Sequence, residues 1–513
     1  MFDPINPAPI TAICLPAMVL LCARSRPESG RGHSNDLSLS RALRQFFARL
    51  SCPPEPGGNR MCSYRVSVPL ARQAGAPPCW PAEVACRDPG TRQRPGPAAW
   101  TSRPARAEQS GCERQARMEP RRRRVFLQET VRCAAGSAAC LAGPVVARTT
   151  GARSRGAGVI HHGKVYAEAG RFGGWPANHG MWAWGDEILV GFSAGYHKDN
   201  GPGRHAIDRQ RPEHHLLARS RDGGRSWKLE NPAQHGALIP VGPALHGVTP
   251  PGLQEKPWQD CPGGIDFTHP DFALTVRMTD HNGGQSRFYY STDRGHHWQG
   301  PFRLPDFGQP GIAARTDYIV NGPQDCLLFL TASKQGGGEG RPLCVRTTDG
   351  GRTWKLVALI GQEPRGYAIM PATVRLGPQE LLTAIRRRDP GRAWIETFRS
   401  RDDGRSWTLE GEPAPDLGEG NPPSLLRLRD GRVCLVYGVR AAPFGIRARL
   451  SRDGGHTWGT EIHLRDDGGG RDLGYVRTVQ RPDGVLVSVY YFHDTLLGER
   501  YIAATLWDPG TPG

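Results

Sequence analysis

The pattern Ser/Thr-x-Asp-x-Gly-x-x-Trp occurs five times in the second two-thirds of this chain, and it constrains the fold more than any other feature. The copies run Ser220–Trp227, Ser291–Trp298, Thr347–Trp354, Ser400–Trp407 and Ser451–Trp458. Each residue type suits a tight turn. The Asp carboxylate folds back onto nearby backbone N–H groups, the Gly accepts a positive φ, and the Ser or Thr hydroxyl adds a second local bond. The Trp buries a large surface and anchors the turn to its neighbours. These residues are therefore read as structural, and their return every 50 to 70 residues or so means repeated β-sheet units.

The strands between the turns follow one plan. In the fifth unit Asn421 to Leu428, Val433 to Val439 and Ile446 to Leu450 precede the turn; Met370 to Leu376, Glu380 to Ile385 and Trp394 to Phe398 repeat this in the fourth. The first unit has Trp175-Pro176, Ile188 to Phe192 and His215 to Arg219, while the second and third fit more loosely. A last unit, Tyr475 to Gln480, Val485 to Phe492 and Arg500 to Leu506, has three strands and no fourth. The unpaired strand Val159 to Tyr166 can supply it. The expectation is an all-β, six-bladed β-propeller over residues 158–508, closed by its N-terminal strand.

The 150 residues at the start differ from the rest. They hold 22 Lys+Arg against 10 Asp+Glu, leaving 44 against 39 for the remainder, so +12 of the +17 net charge lies there. The basic charge belongs to the leader, which argues against a nucleic-acid surface on the propeller. Residues 1–117 lack periodicity and are dense in Pro, Arg and Gly; they are expected to be unstructured, with translation beginning at Met118. Residues 118–147, with Arg123-Arg124-Val125-Phe126-Leu127, an Ala-rich run and Val145-Val146-Ala147, resemble a twin-arginine export signal, which implies an extracytoplasmic protein. No later stretch reaches the roughly 18 apolar residues of a membrane span. The cysteine spacings fit no zinc template, and His281, His296 and His297 read as surface residues, so no metal or cofactor is expected. Cys326 and Cys344, on adjacent strands, either bridge or stay as buried thiols.

Five such turns on six four-stranded units resemble the sialidase (neuraminidase) superfamily, whose turns of this kind are called Asp-boxes. The resemblance implies an exported, retaining glycoside hydrolase with a Tyr nucleophile, acting as a monomer on a carbohydrate that ends in an anionic sugar. Matched position by position, it implies Tyr475 as nucleophile, Asp199 or Asp208 as acid/base, and Arg386, Arg440 and Arg477 as the carboxylate clamp. Trp175 and His493 are further pocket candidates. Two positions depart from the family. Gly174 stands where a clamp arginine belongs, with Arg171 nearby, and Met370 and Pro422 stand where a Glu should activate the Tyr, with Glu419 as a substitute. The departures open a second expectation, a non-catalytic propeller that binds glycan or protein.

Overall fold

The computed structural model describes residues 156–512. The leader and the export-signal stretch expected from the sequence lie outside them. Six antiparallel sheets form the six blades of a propeller. From the axis outward, the last blade is ordered Gly474–Gln480, Leu486–Phe492, Tyr501–Asp508 and then Gly158–Tyr166. The N-terminal strand thus supplies the missing fourth strand, pairing Gly158 with Asp508 and Tyr166 with Ile502.

In the first blade the inner position is split: Arg171–Gly174 and Met181–Trp184 both pair with Glu187–Tyr196, and a one-turn helix, Pro176–His179, lies between them. The third blade is split in the same way, with Ile312–Ala313 and Tyr318–Gly322 both on Asp325–Ser333. The second blade departs from the four-strand expectation. Among the described residues it has three paired strands, Ala273–Met278, Ser286–Ser291 and Gln299–Arg303, preceded by the long segment 231–272. The turn motif could not reveal this, because it joins only a blade's two outer strands.

The core lies between blades. Side chains alternate across a strand, so Cys326, Leu328 and Leu330 pack toward the second blade with Leu274, Val276 and Phe288, while Leu327 and Phe329 pack toward the fourth with Leu381, Ile385 and Phe398. A strand buried on both faces needs an unbroken apolar run, which Cys326 to Leu330 provides. Each such side chain contributes roughly 1.5–3 kcal/mol on burial. Cys326 and Cys344 are free, as are Cys261 and Cys434. The first two sit on paired strands, but Cys326 is opposite Thr347 and Cys344 opposite Phe329.

All five Asp-boxes connect the two outer strands of a blade. In the first, Ser220 Oγ donates to Asp222 Oδ1 at 2.8 Å and accepts the Gly224 N–H at 2.7 Å. Asp222 also accepts from the Ser226 N–H and hydroxyl, at 2.9 and 2.6 Å. These bonds to its charged form outweigh the opposing effect of burial and hold the Asp222 carboxyl at about 2. Ser220 is buried and Ser226 exposed. Ser220→Ala is therefore expected to strand the buried Gly224 N–H and cost about 1–3 kcal/mol in urea unfolding, while Ser226→Ala costs less than half as much; equal costs would contradict this account of the turn.

Candidate functional site

Tyr475 opens the inner strand of the last blade with a left-handed φ of 52°, and Trp175 and Met370 have φ of 58° and 55° where the inner strands of the first and fourth blades bend. Non-glycine residues avoid this region at a cost of order 1–3 kcal/mol unless their surroundings enforce it. Here the surroundings do. Asn421 Oδ1 accepts the Tyr475 N–H at 2.8 Å, and its amide donates to the Leu473 carbonyl at 2.9 Å. Gly474 permits the approach, since a Cβ there would fall 2.3 Å from the Asn421 amide. The pairing shifts register between Gly474 and Arg477, which re-aims the Tyr475 side chain.

Tyr475 borders a cavity of about 260 Å³ together with Trp175, Asn178, His205, Arg315 and Arg386. Arg386 donates to the Tyr475 hydroxyl at 3.2 Å. Arg315 donates to Glu339 Oε1 at 2.6 Å, and both line the same cavity. Arg315 Nε and Nη1 and Arg386 Nε are buried without a hydrogen-bond partner among the described residues. Guanidinium nitrogens left this way carry a desolvation cost. An anionic group in the cavity would relieve it.

A second cavity adjoins the first, bordered by Asp199, Glu419, Arg440, Asp472, His493 and Arg500. The wall between the two is a hydrogen-bonded pair: His205 Nδ1 lies 2.6 Å from Asp472 Oδ1, with His205 on one side and Asp472 on the other. Asp472 also accepts from the Ala206 N–H at 2.9 Å, Tyr491 Oη at 2.8 Å and Arg500 Nε at 3.1 Å. Burial alone would raise its pKa; His205, Arg500 and Arg440 overcome that and hold it well below the usual carboxylate range. Burial dominates at His205 and lowers its pKa, although Asp472 pulls the other way. The imidazole is thus neutral near pH 7, with Nδ1–H assigned toward Asp472 by the hydrogen bond.

The residues singled out from the sequence therefore fall in several places. Tyr475, Arg386 and Trp175 share the first cavity. Asp199, Glu419, Arg440 and His493 border the second. Arg440 also stands over the Tyr475 ring, 5.6 Å from its centroid, but its donors go to the Leu473 carbonyl and the Tyr491 hydroxyl. Asp199 caps the Gly201 N–H, and Glu419 pairs with Arg471 at 2.5 Å. Asp208 caps the Gln210 N–H beside Lys198 and borders neither cavity. Arg171 stacks on Tyr196. His493 bridges the carbonyls of Thr495 and Gly470. Arg477 points away from the first cavity, donating to the carbonyls of Ala177 and Thr316.

Beside Arg477 lies Asp317, whose carboxyl is pushed up to about 7 by burial, against the opposing pull of Arg477 and the hydrogen bonds of Thr373. Its pKa is raised above the unfolded value, so the folded state holds the extra proton. Stability is then highest at acid pH and falls as pH rises from about 4 to about 7. Asp317→Asn is expected to remove that fall, a gain on the order of 4 kcal/mol at pH 8, measured by urea unfolding across this range; an unchanged pH slope would count against it.

Sequence reasoning missed Arg315, Glu339 and Asp472 as site residues. The available signal was polarity where strands are otherwise apolar: Arg315-Thr316-Asp317 in the break of the third blade's inner strand, and Asp472 three residues before Tyr475.

Residues 272–489 match the family model of the BNR repeat-like domain. No curated protein sequence matches the chain. Among solved structures, a protein of unknown function from Dyadobacter fermentans is 22% identical, with a TM-score of 0.53, covering 69% of this chain and 99% of that one. A variant of NanB sialidase from Streptococcus pneumoniae is 11% identical, with a TM-score of 0.44, covering 66% and 67%. An α-L-arabinanase from Penicillium chrysogenum is 13% identical, with a TM-score of 0.43, covering 69% and 99%. With its five Asp-boxes, its six blades and a BNR repeat-like match over residues 272–489, the chain is a six-bladed propeller that resembles the BNR-repeat propellers.

Proposed function

We propose that this propeller is a glycoside hydrolase that releases a terminal anionic sugar from a glycan with retention of configuration. The observation that carries the reading is the first cavity, where the Tyr475 hydroxyl meets Arg386 beside buried guanidinium nitrogens of Arg315 and Arg386 that have no hydrogen-bond partner among the described residues. A carboxylate on the substrate would satisfy those nitrogens. It would also repel a carboxylate nucleophile, which is why a neutral Tyr suits an anionic sugar. In this reading Tyr475 attacks the anomeric carbon, and His205, oriented by Asp472, passes the proton between Tyr475 or the leaving oxygen and the solvent side. Asp199, across the wall in the second cavity, remains the carboxylate for that role if His205 proves dispensable. Trp175 offers an aromatic face to the ring. Export through the stretch 118–147 belongs to the same proposal, and sequencing the N-terminus of the secreted protein tests it.

A panel of 4-methylumbelliferyl glycosides tests the substrate class. Sialosides or uronides should turn over and arabinosides should not. Arg315→Ala should weaken use of the anionic substrate by about 10- to 100-fold in kcat/KM, as expected when one charge-assisted hydrogen-bonded pair is lost. Faster turnover of neutral sugars than of anionic ones would sink the reading. One observation favours binding without turnover: Glu339, the carboxylate among the described residues lining this cavity, is already engaged by Arg315. Tight binding of an anionic glycan with no hydrolysis would select that alternative.

A further inference from the structure

Beside the first cavity, Glu213, His215 and His246 each present a ligating atom within 4.8 Å of the other two. Glu213 immediately precedes the strand His214–Ser220, so Glu213 and His215, two residues apart, project to the same side. His246 ends a one-turn helix, Pro243–His246, in the long segment before the second blade. That segment is pinned against the first blade's insertion: Pro212 bridges Val248, and the Glu213 N–H donates to the Val248 carbonyl at 3.3 Å. Gly247 makes the contact possible, since a Cβ there would fall 2.2 Å from the Arg209 carbonyl oxygen.

We propose that Glu213, His215 and His246 form a binding site for one divalent transition-metal ion, of the zinc type, at the wall of the first cavity. Glu213 Oε1 lies 3.2 Å from His246 Nδ1 and 3.5 Å from His215 Nε2. Ligands about 2.0–2.1 Å from a tetrahedral ion stand about 3.3–3.4 Å from one another, so the two separations already fit. The second, independent sign is His215, which is 2% exposed and among the described residues has no hydrogen-bond partner at either ring nitrogen. A buried imidazole in that state costs free energy unless something ligates it. The other oxygen of Glu213 is held by Arg209 at 2.8 Å, which fixes the carboxylate as an outer-shell partner does.

The chemistry of the donors selects the ion. Arg277 adds positive charge next to His215 and donates to the His179 carbonyl, so a purely electrostatic site for calcium or magnesium is disfavoured. Two imidazoles and one carboxylate suit zinc, nickel or cobalt, which gain from nitrogen coordination. Three protein ligands leave a position open. His246, which lines the cavity, places the ion where a substrate oxygen could reach it.

The test uses the full chain, stripped with a chelator and dialysed against Zn²⁺, with bound metal counted by mass spectrometry. Wild-type protein should hold one more equivalent than His246→Ala and than Glu213→Gln, each checked for an unchanged near-ultraviolet circular dichroism spectrum. Equal zinc content in wild type and both folded variants would overturn the proposal. Should either variant fail to fold, Co²⁺ added to the wild type decides. Visible ligand-field bands without a thiolate charge-transfer band support a nitrogen and oxygen site, and thiolate bands alone, or no bands, overturn it. These readouts do not depend on turnover, so failure of the metal site and failure of the hydrolase reading are separable.

Discussion

Tyr475→Phe is expected to lose turnover by a factor on the order of 10³ or more, the scale seen when a covalent nucleophile is deleted, while leaving the protein folded. Among the described residues, the hydroxyl accepts a single hydrogen bond, that of Arg386. The ring itself packs with Trp175, Met370 and Tyr491 in the core between the first and last blades. Phe keeps the ring and removes only the oxygen. Binding of an anionic glycan, read by calorimetry, should survive, because Arg315 and Arg386 are untouched. Full activity in this variant would remove Tyr475 from the chemistry.

Asp472→Ala should be the most destabilising single change in the site. Asp472 is 1% exposed and joins His205, Ala206, Tyr491 and Arg500, and the Arg440 guanidinium reaches the same network through the Tyr491 hydroxyl. Removing one partner of a buried pair leaves the other charge uncompensated, which costs about 3–5 kcal/mol. Arg500 would be that charge. The pKa of Asp472 is depressed in the fold, so the stability it supplies is present above the unfolded carboxylate pKa and is lost as pH falls through the acid range. The advantage of the wild type over the variant should therefore narrow in acid, as urea midpoints measured at pH 7 and pH 3 would reveal. The activity loss should be about 10²- to 10⁴-fold if His205 is the proton-transfer group. A variant as stable as wild type at pH 7 would contradict the network as described.

The propeller was legible because its information is local. A Ser, an Asp, a Gly and a Trp within eight residues make a turn that no distant contact is needed to explain, and the three-strand remainder after Trp458 pointed to Val159–Tyr166 as the closing strand. The second blade was less legible for the same reason: its box reports the turn between its outer strands, and nothing local announces that the inner position lacks a paired strand. The site divides along this line too. Tyr475 could be found because it opens a strand next to a recognisable turn. Arg315, His205 and Asp472 come from three separate connections, and what joins them is proximity at the propeller axis. Glu213 and His215 read as an ordinary alternating strand start; only folding brings His246, in an irregular segment, beside them.

The central claim is that Tyr475 attacks the sugar. Its most direct test is mass spectrometry of the peptide containing Tyr475 after reaction with a fluorinated, activated derivative of whichever anionic sugar turns over. The account predicts a mass increase of one fluorinated glycosyl unit located on the Tyr475 oxygen. A label on a carboxylate, or no label from a derivative that inactivates the enzyme, would contradict it.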